Sequence, residues 1–379
     1  MLKLHELSYW EKNIYFEGID FLVIGAGIVG SSTALHLRKQ YPDARILVVE
    51  RGYLPAGAST KNAGFACFGS VTELSDDLEK MPEDQVWETV AARWEGLQKL
   101  REIIGDRHLD FQQNGSWDLI RRDEQATFLK GTEKLGYMNQ KMFEITGHSS
   151  ILSEDKNAAR KFDFGSVETS FHNSLEGQID TGKMMSRFHQ LLADNNIRLL
   201  TGIEVLDIHP GEQEVDVSLS CGNIRAAHVA ICVNGFAQKF LPEEDVRPAR
   251  AQVIITKPIP NLKVQGTFHY QEGYYYFRNI HNRILFGGGR NLDFDGETTT
   301  ELKNTDRITG QLEMLLRTLI LPNTPFEVEH TWAGIMGMGS TKKPIVKKIH
   351  PRVATGVRLG GMGIAIGSLT GKKVAELLG

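Results

Sequence analysis

The chain has 379 residues, a formal net charge of −4, and a composition that is 41% hydrophobic and 24% charged. That length suits two globular domains with sizeable cores, and with no basic excess a nucleic-acid partner is not expected. Its three cysteines, Cys67, Cys221 and Cys232, follow no metal-ligand spacing, so neither a disulfide framework nor a metal site is predicted.

Residues 1–19 read as a polar lead-in. Charge begins at Lys3 and no apolar h-region follows, so no secretory signal is expected. The early apolar run, 21–29, is broken by glycine and too short to span a bilayer. A cytoplasmic location is the resulting expectation.

Residues 21–24 form a continuous apolar run, the pattern of a buried parallel strand. Gly25-Ala26-Gly27-Ile28-Val29-Gly30 follows, then a helix over 31–40, then a second buried strand over 46–49 that ends on Glu50. In such a βαβ unit one glycine makes the turn, one admits a pyrophosphate, and one lets helix and strand approach. The helix N-terminus supplies N–H groups and a positive dipole end. Glu50 is placed to accept hydrogen bonds from ribose hydroxyls, which disfavours a 2′-phosphate but does not separate FAD from NAD.

Beyond the unit, 51–75 is irregular and rich in small residues, and 76–104 reads as helical. Residues 107–150 are mixed, with a strand at 115–120. An amphipathic helix is predicted over 183–194, strands over 197–200 and 204–208 with a hairpin at Pro210-Gly211, and a buried strand over 229–233. Residues 251–256, 274–279 and 284–287 read as an antiparallel sheet. A helix over 302–321 stops at Pro322, and a strand over 352–359 leads through Gly360-Gly361-Met362-Gly363 into a final helix.

Three features favour FAD. The loop 56–64 is small and hydroxyl-rich, leaving room for a large cofactor. Residues 360–367 form a second strand–turn–helix N-terminus, suited to the flavin edge where negative charge grows on reduction. No second GxGxxG marks a separate pyridine-nucleotide domain.

These segments resemble the FAD-dependent amine and amino-acid oxidoreductases, the family of D-amino-acid oxidase, glycine oxidase and sarcosine oxidase. The resemblance rests on residues 21–30, Val49-Glu50-Arg51, residues 57–64, Glu176-Gly177-Gln178-Ile179-Asp180-Thr181-Gly182, residues 229–235, Trp332-Ala333-Gly334 and residues 360–367. It implies that Glu50 binds the adenosine ribose and that Ser59, Asn62, Ala63 and Gly64 line the pyrophosphate and ring. It further implies that Val205 meets adenine through its backbone and that Gly361, Gly363 and Ile364 lie by the pyrimidine end. Gly25, Ala26, Gly27, Ile28, Gly30, Arg51, Ala58, Asn234 and Gly235 complete the expected cofactor contacts.

Two departures narrow the expectation. Family members that oxidise free amino acids often carry an arginine two residues after Trp-x-Gly, and here that position is Met336. Tyr276, Arg278 and Arg290 are the substitute substrate-binding candidates. With no cysteine after Cys232 and no histidine between His36 and His108, the FAD is expected to be non-covalent. His269 is read as structural, and Lys342 and Lys343 as solvated.

The expected fold is α/β: a Rossmann-like FAD-binding domain (1–90, 150–237, 326–379) interleaved with an α+β substrate domain on a mainly antiparallel sheet (91–149, 238–325). The expected activity is hydride transfer from a CH–NH substrate, an amino acid or secondary amine, to FAD, with the electron acceptor open. Oxidation of a CH–OH bond, and flavin binding without turnover, are the alternatives.

Overall fold

The computed structural model describes residues 3–379; Met1 and Leu2, the start of the predicted lead-in, lie outside the described residues. The chain begins with α1 (Tyr9–Tyr15), then β1 (Ile19–Ile24), α2 (Ile28–Gln40) and β2 (Ile46–Glu50). β3 (Phe65–Ala66) leads to α3 (Val71–Lys80), α4 (Glu83–Ile104) and α5 (Asp106–Leu109). Next come β4 (Ser116–Arg121), α6 (Gln125–Thr146), β5 (Leu152–Glu154), α7 (Ala158–Phe162), β6 (Val167–Asn173) and β7 (Gly177–Gln178). α8 (Thr181–Asp194) is followed by β8 (Arg198–Thr201), β9 (Val205–Pro210), β10 (Val215–Leu219) and β11 (Gly222–Ile231). β12 (Arg247–Thr256), β13 (Thr267–Tyr270), β14 (Tyr275–Ile280), β15 (Arg283–Gly288), α9 (Asp306–Leu315), β16 (Val328–Met338), β17 (Ile345–His350), β18 (Val353–Val357) and α10 (Gly363–Leu378) complete the chain.

One sheet runs β17-β18-β11-β1-β2-β8, with β10 pairing β11 and β9. β1 pairs in parallel with both β2 and β11 at its centre. Its residues alternate between two cores. Phe21 and Val23 face α2 and α10, while Leu22 and Ile24 join Val215 and Val217 of the β9–β10 hairpin on the other side. Burial on both faces is why the run is apolar throughout.

The second sheet runs β16-β12-β15-β14-β13-β4-β6-β5 and is antiparallel except for β13 with β4. One face packs Phe268, Phe277 and Phe286 against α7 and α9. The opposite face packs helices α3, α4 and α6 at its β4–β6 end and meets the loop before β3 at its β12–β16 end.

Several predicted elements are revised. The helical stretch 76–104 is two helices, because Pro82 forces Met81 out of the helical region, to ψ 154°. The helix expected from 302 starts at Asp306, because Gln252 Oε1 accepts the Thr305 N–H at 2.7 Å and holds the approach extended. The polar lead-in contains α1, closed by a Ser8–Glu11 capping box.

Under β12, Arg250 donates from Nε and Nη2 to Glu297 at 3.0 and 2.7 Å, and Gln252 Nε2 donates to the same carboxylate at 2.9 Å. Both side chains are buried. Removing one member strands the other charge, so Glu297→Ala is expected to lower the unfolding free energy by about 3–5 kcal/mol. Urea unfolding of the variant measures this, and a loss under about 1 kcal/mol would show that the pair is not desolvated.

Candidate functional site

The turn after β1 is built by exclusion of side chains. Gly25 has φ +101°, and a Cβ there would lie 2.7 Å from the carbonyl oxygen of Cys232 at the end of β11. A Cβ at Gly30 would overlap the Gly25 carbonyl. Glu50 closes the turn from β2: one carboxylate oxygen accepts the Ala26 N–H at 3.2 Å, and the other accepts the N–H groups of Gly52 at 3.0 Å and Ala56 at 3.4 Å. Ser59 Oγ accepts the Ile28 N–H at 3.0 Å, tying the loop after β2 to the start of α2.

α2 and α10 lie side by side and parallel. A Cβ at Gly367 would sit 2.8 Å from Ile28 Cγ2, and one at Gly371 2.6 Å from Ser32 Cβ. A four-residue step on one helix thus matches a four-residue step on the other, in the same direction. Their N-termini therefore open at the same edge. Neither has a capping side chain at its own N-cap, which is Gly27 for α2 and Met362 for α10. Two positive dipole ends converge there, with Gly361 (φ +80°) at the mouth of the second.

The remaining predicted cofactor residues are placed as follows. Arg51 stacks its guanidinium on Phe236 at 3.8 Å, just beyond Glu50. Ala58 and Asn62 brace the loop from within: Asn62 Nδ2 donates to the carbonyls of Ala58 and Ser59, both at 3.0 Å, and its Oδ1 accepts the Gly64 N–H at 2.8 Å. Ala63 packs on Val253 and Leu285 of the second sheet. Val205 is buried at the start of β9 and its carbonyl accepts from Lys239 Nζ at 2.9 Å. Asn234 Oδ1 accepts the Leu359 N–H at 3.2 Å, and Gly235 packs against the Met336 carbonyl. Ile364 is buried in the first turn of α10. Sequence reasoning missed His189, whose Nε2 meets the Ala26 carbonyl at 3.2 Å; its position on α8 is set by tertiary packing alone.

On the second sheet, strand alternation puts Tyr276 and Arg278 on the face toward Gly64 and Phe65, with Tyr275 and Phe277 in the opposite core. The ladder aligns His269, Tyr276, Gly287, Val253 and Trp332 in one row across that face. Phe65 meets Tyr276 edge-on at 5.7 Å and His269 at 5.2 Å. Gly287 has no side chain because the Tyr276 ring fills its place, 2.6 Å from where a Cβ would be. Burial pushes the Tyr276 hydroxyl up to about 12. Trp332 Nε1 donates to the Lys61 carbonyl at 3.0 Å, fixing the loop on this face.

Three side chains differ from a bland surface or core reading. Arg278 is buried directly beneath Gly64, with Nη2 2.9 Å from where a Gly64 Cβ would stand. Lys342 is not free in solvent: it donates to Glu73 and Asp77, both at 2.7 Å. His269 faces Asp118 at 3.4 Å. Burial alone would lower its pKa, but Asp118 and then Glu176 outweigh burial and raise it. Arg290 stands apart, its guanidinium 4.8 Å from the Phe294 ring. Among the described residues no His/Cys/Asp/Glu group could hold a metal ion, and no helix is long and apolar enough to cross a membrane.

The crevice fits FAD. The first turns of two helices point N–H groups at one edge without a cap from their own N-cap side chains, Glu50 closes β2 beside the first of them, and the 56–64 loop of small residues lies next to both, a set of groups that suits a dinucleotide. The model of the FAD dependent oxidoreductase family matches residues 20–377. Gamma-glutamylputrescine oxidoreductase of Escherichia coli is 23% identical over 95% of this chain and 83% of its own length. L-proline dehydrogenase from P. horikoshii superposes with a TM-score of 0.74 at 19% identity, covering 96% of this chain and 93% of that one. Iminodiacetate oxidase from Chelativorans sp. BNC1 superposes at 0.75 with 18% identity, covering 94% and 95%. With a family model spanning almost its whole length and a crevice that suits the cofactor, this chain belongs to the FAD-dependent oxidoreductase family.

Proposed function

We propose that the enzyme oxidises the CH–NH bond of a small amine or amino acid. The observation that carries this reading is the sheet face over Gly64 and Phe65. It presents a phenol and a buried cation, Tyr276 and Arg278, with no nucleophile–base pair aimed at a reacting centre. Bound FAD supplies a hydride acceptor, and oxidation of an amine then needs orientation and electrostatics more than protein acid–base chemistry. His269 is buried against Asp118 at 3.4 Å rather than aimed at a reacting centre, and Asp118 and Glu176 raise its pKa against the pull of burial. Relatives and structural neighbours named for gamma-glutamylputrescine, L-proline and iminodiacetate support the same class.

In this reading the amides of the Gly25–Gly30 turn and of the α10 N-terminus hold the FAD, Glu50 takes the ribose, and attachment is non-covalent. Tyr276 and Arg278 orient the substrate. Arg290, set apart against Phe294, is kept as the third substrate-binding candidate. Three buried free cysteines suit a reducing, cytoplasmic setting. The electron acceptor is left open.

Anaerobic mixing of the yellow protein with panels of amines, amino acids and 2-hydroxyacids tests the reaction class. Bleaching of the flavin by CH–NH compounds is expected, and bleaching by hydroxyacids alone would refute it. For the cofactor site, Glu50→Ala leaves three N–H groups without their acceptor. It is expected to weaken FAD binding roughly 10- to 100-fold, read by quenching of flavin fluorescence; unchanged affinity would remove Glu50 from the site.

A further inference from the structure

Two side chains converge on one carbonyl of the turn after β1. Ala26 is fully buried, and its N–H is accepted by Glu50 at 3.2 Å. Its carbonyl is met by Ser31 Oγ of α2 at 3.2 Å and by His189 Nε2 of α8 at 3.2 Å. A carbonyl oxygen has no proton to give, so His189 Nε2 carries the proton of that contact.

The Ala26 carbonyl and the Gly27 N–H belong to one peptide plane and, in a trans peptide, point in opposite directions. Drawing the carbonyl toward α8 therefore turns the Gly27 N–H away from α8. That N–H has no hydrogen-bond partner among the described residues, whereas the next one, on Ile28, is already accepted by Ser59 Oγ at 3.0 Å. Gly27 is the N-cap of α2, so its free N–H stands at the positive end of the helix. α8 is placed for this contact by residues 176–182. Glu176, with no exposed surface, accepts the N–H groups of Phe68 and Gly69 at 2.6 and 2.7 Å. Asp180 caps α8 by accepting the Lys183 N–H at 2.9 Å. Met184, Met185 and Phe188 are buried in one core and Leu192 in the core beneath α2. His189 is left half-buried where α8 meets the turn.

We propose that His189 is a positioning residue for cofactor capture: with Ser31 it holds the Ala26 carbonyl inward, so that the Gly27 N–H faces the pyrophosphate. Without the imidazole donor the peptide keeps one support and tilts, and its N–H donates off line, where a hydrogen bond weakens steeply. The inference rests on the assignment of the 25–30 amides to FAD and deepens it, by adding a side chain that acts through the backbone rather than on the ligand. It also gives residues 176–182 a use: they launch the helix that carries His189.

The test titrates FAD back into the full chain stripped of cofactor, read by quenching of flavin fluorescence, with ADP and adenosine as competitors. His189→Leu, which keeps bulk and loses the donor, is expected to weaken FAD roughly 5- to 20-fold. ADP is expected to weaken by the same factor, and adenosine, which has no pyrophosphate, to compete as in wild type. His189→Gln, whose amide nitrogen donates in place of the ring, is expected to recover most of the affinity. Unchanged FAD affinity in His189→Leu would overturn the proposal. So would an equal loss for adenosine, which marks a purely structural role, or a His189→Gln no better than His189→Leu. Where His189→Leu does not fold, His189→Asn takes its place, its amide being too short for the carbonyl, and wild-type affinity in that variant would overturn the proposal. Glu50→Ala separates this inference from the reading beneath it. If Glu50→Ala weakens FAD and His189→Leu does not, the turn stands as the cofactor site and the role of His189 fails; if neither weakens it, the turn itself is not the site.

Discussion

Two helices that begin at the same edge of a sheet organise this molecule. α2 and α10 touch through Gly367 against Ile28 and Gly371 against Ser32, closer than any side chain would permit. The contact forces them parallel, and parallel helices bring their positive ends together. Neither end is capped by its own N-cap side chain. The fold therefore brings the N–H-bearing first turns of two helices, from chain segments more than three hundred residues apart, to one edge. β1 and Glu50 set one end of it, and the turn at Gly360 and Gly361 sets the other. An extended, doubly negative cofactor answers that arrangement better than a compact one.

The second sheet meets this crevice through a single loop. Asn62 holds the loop from inside, Trp332 holds it from the sheet, and Ser59 holds it to α2. One short segment thus touches the α2 N-terminus on one side and the second sheet on the other. Charge is distributed unevenly around it. The ionic cluster of Lys342, Glu73, Asp77 and Arg93 is internally balanced and ties the loop before β17 to α3 and α4. The Arg250–Glu297 pair is balanced as well. Arg278, buried under Gly64, has no ion-pair partner among the described residues.

Much of this was legible in the sequence where one residue type has one physical use. The glycine spacing at 25, 27 and 30, the apolar runs on either side, and Glu50 closing the second run specify a βαβ unit almost without tertiary information. Tyr276 and Arg278 were equally readable as candidates on a predicted sheet over 274–279. α6 was not, because Gly131 and Gly136 interrupt its pattern; Gly131 is there because the Phe171 ring of β6 fills the place of its side chain. β16 was hidden in the same way by Gly334, which makes room for Lys61, and Gly337, which makes room for Asn234. Lys342 read as solvated because its carboxylate partners lie 265 and 269 residues away. The isolation of Arg278 was illegible for the complementary reason: no local pattern records that a partner is missing.

The central claim is that one FAD bridges both helix N-termini, with its substrate approached from the Arg278 face. A crystal structure of the FAD-loaded protein tests it most directly. Density is expected for a pyrophosphate at the amides between Gly25 and Gly30, and for the pyrimidine edge of the flavin at Gly361 to Ile364. A cofactor engaging only one of the two helix ends, or a ring lying away from Gly64, would contradict the account.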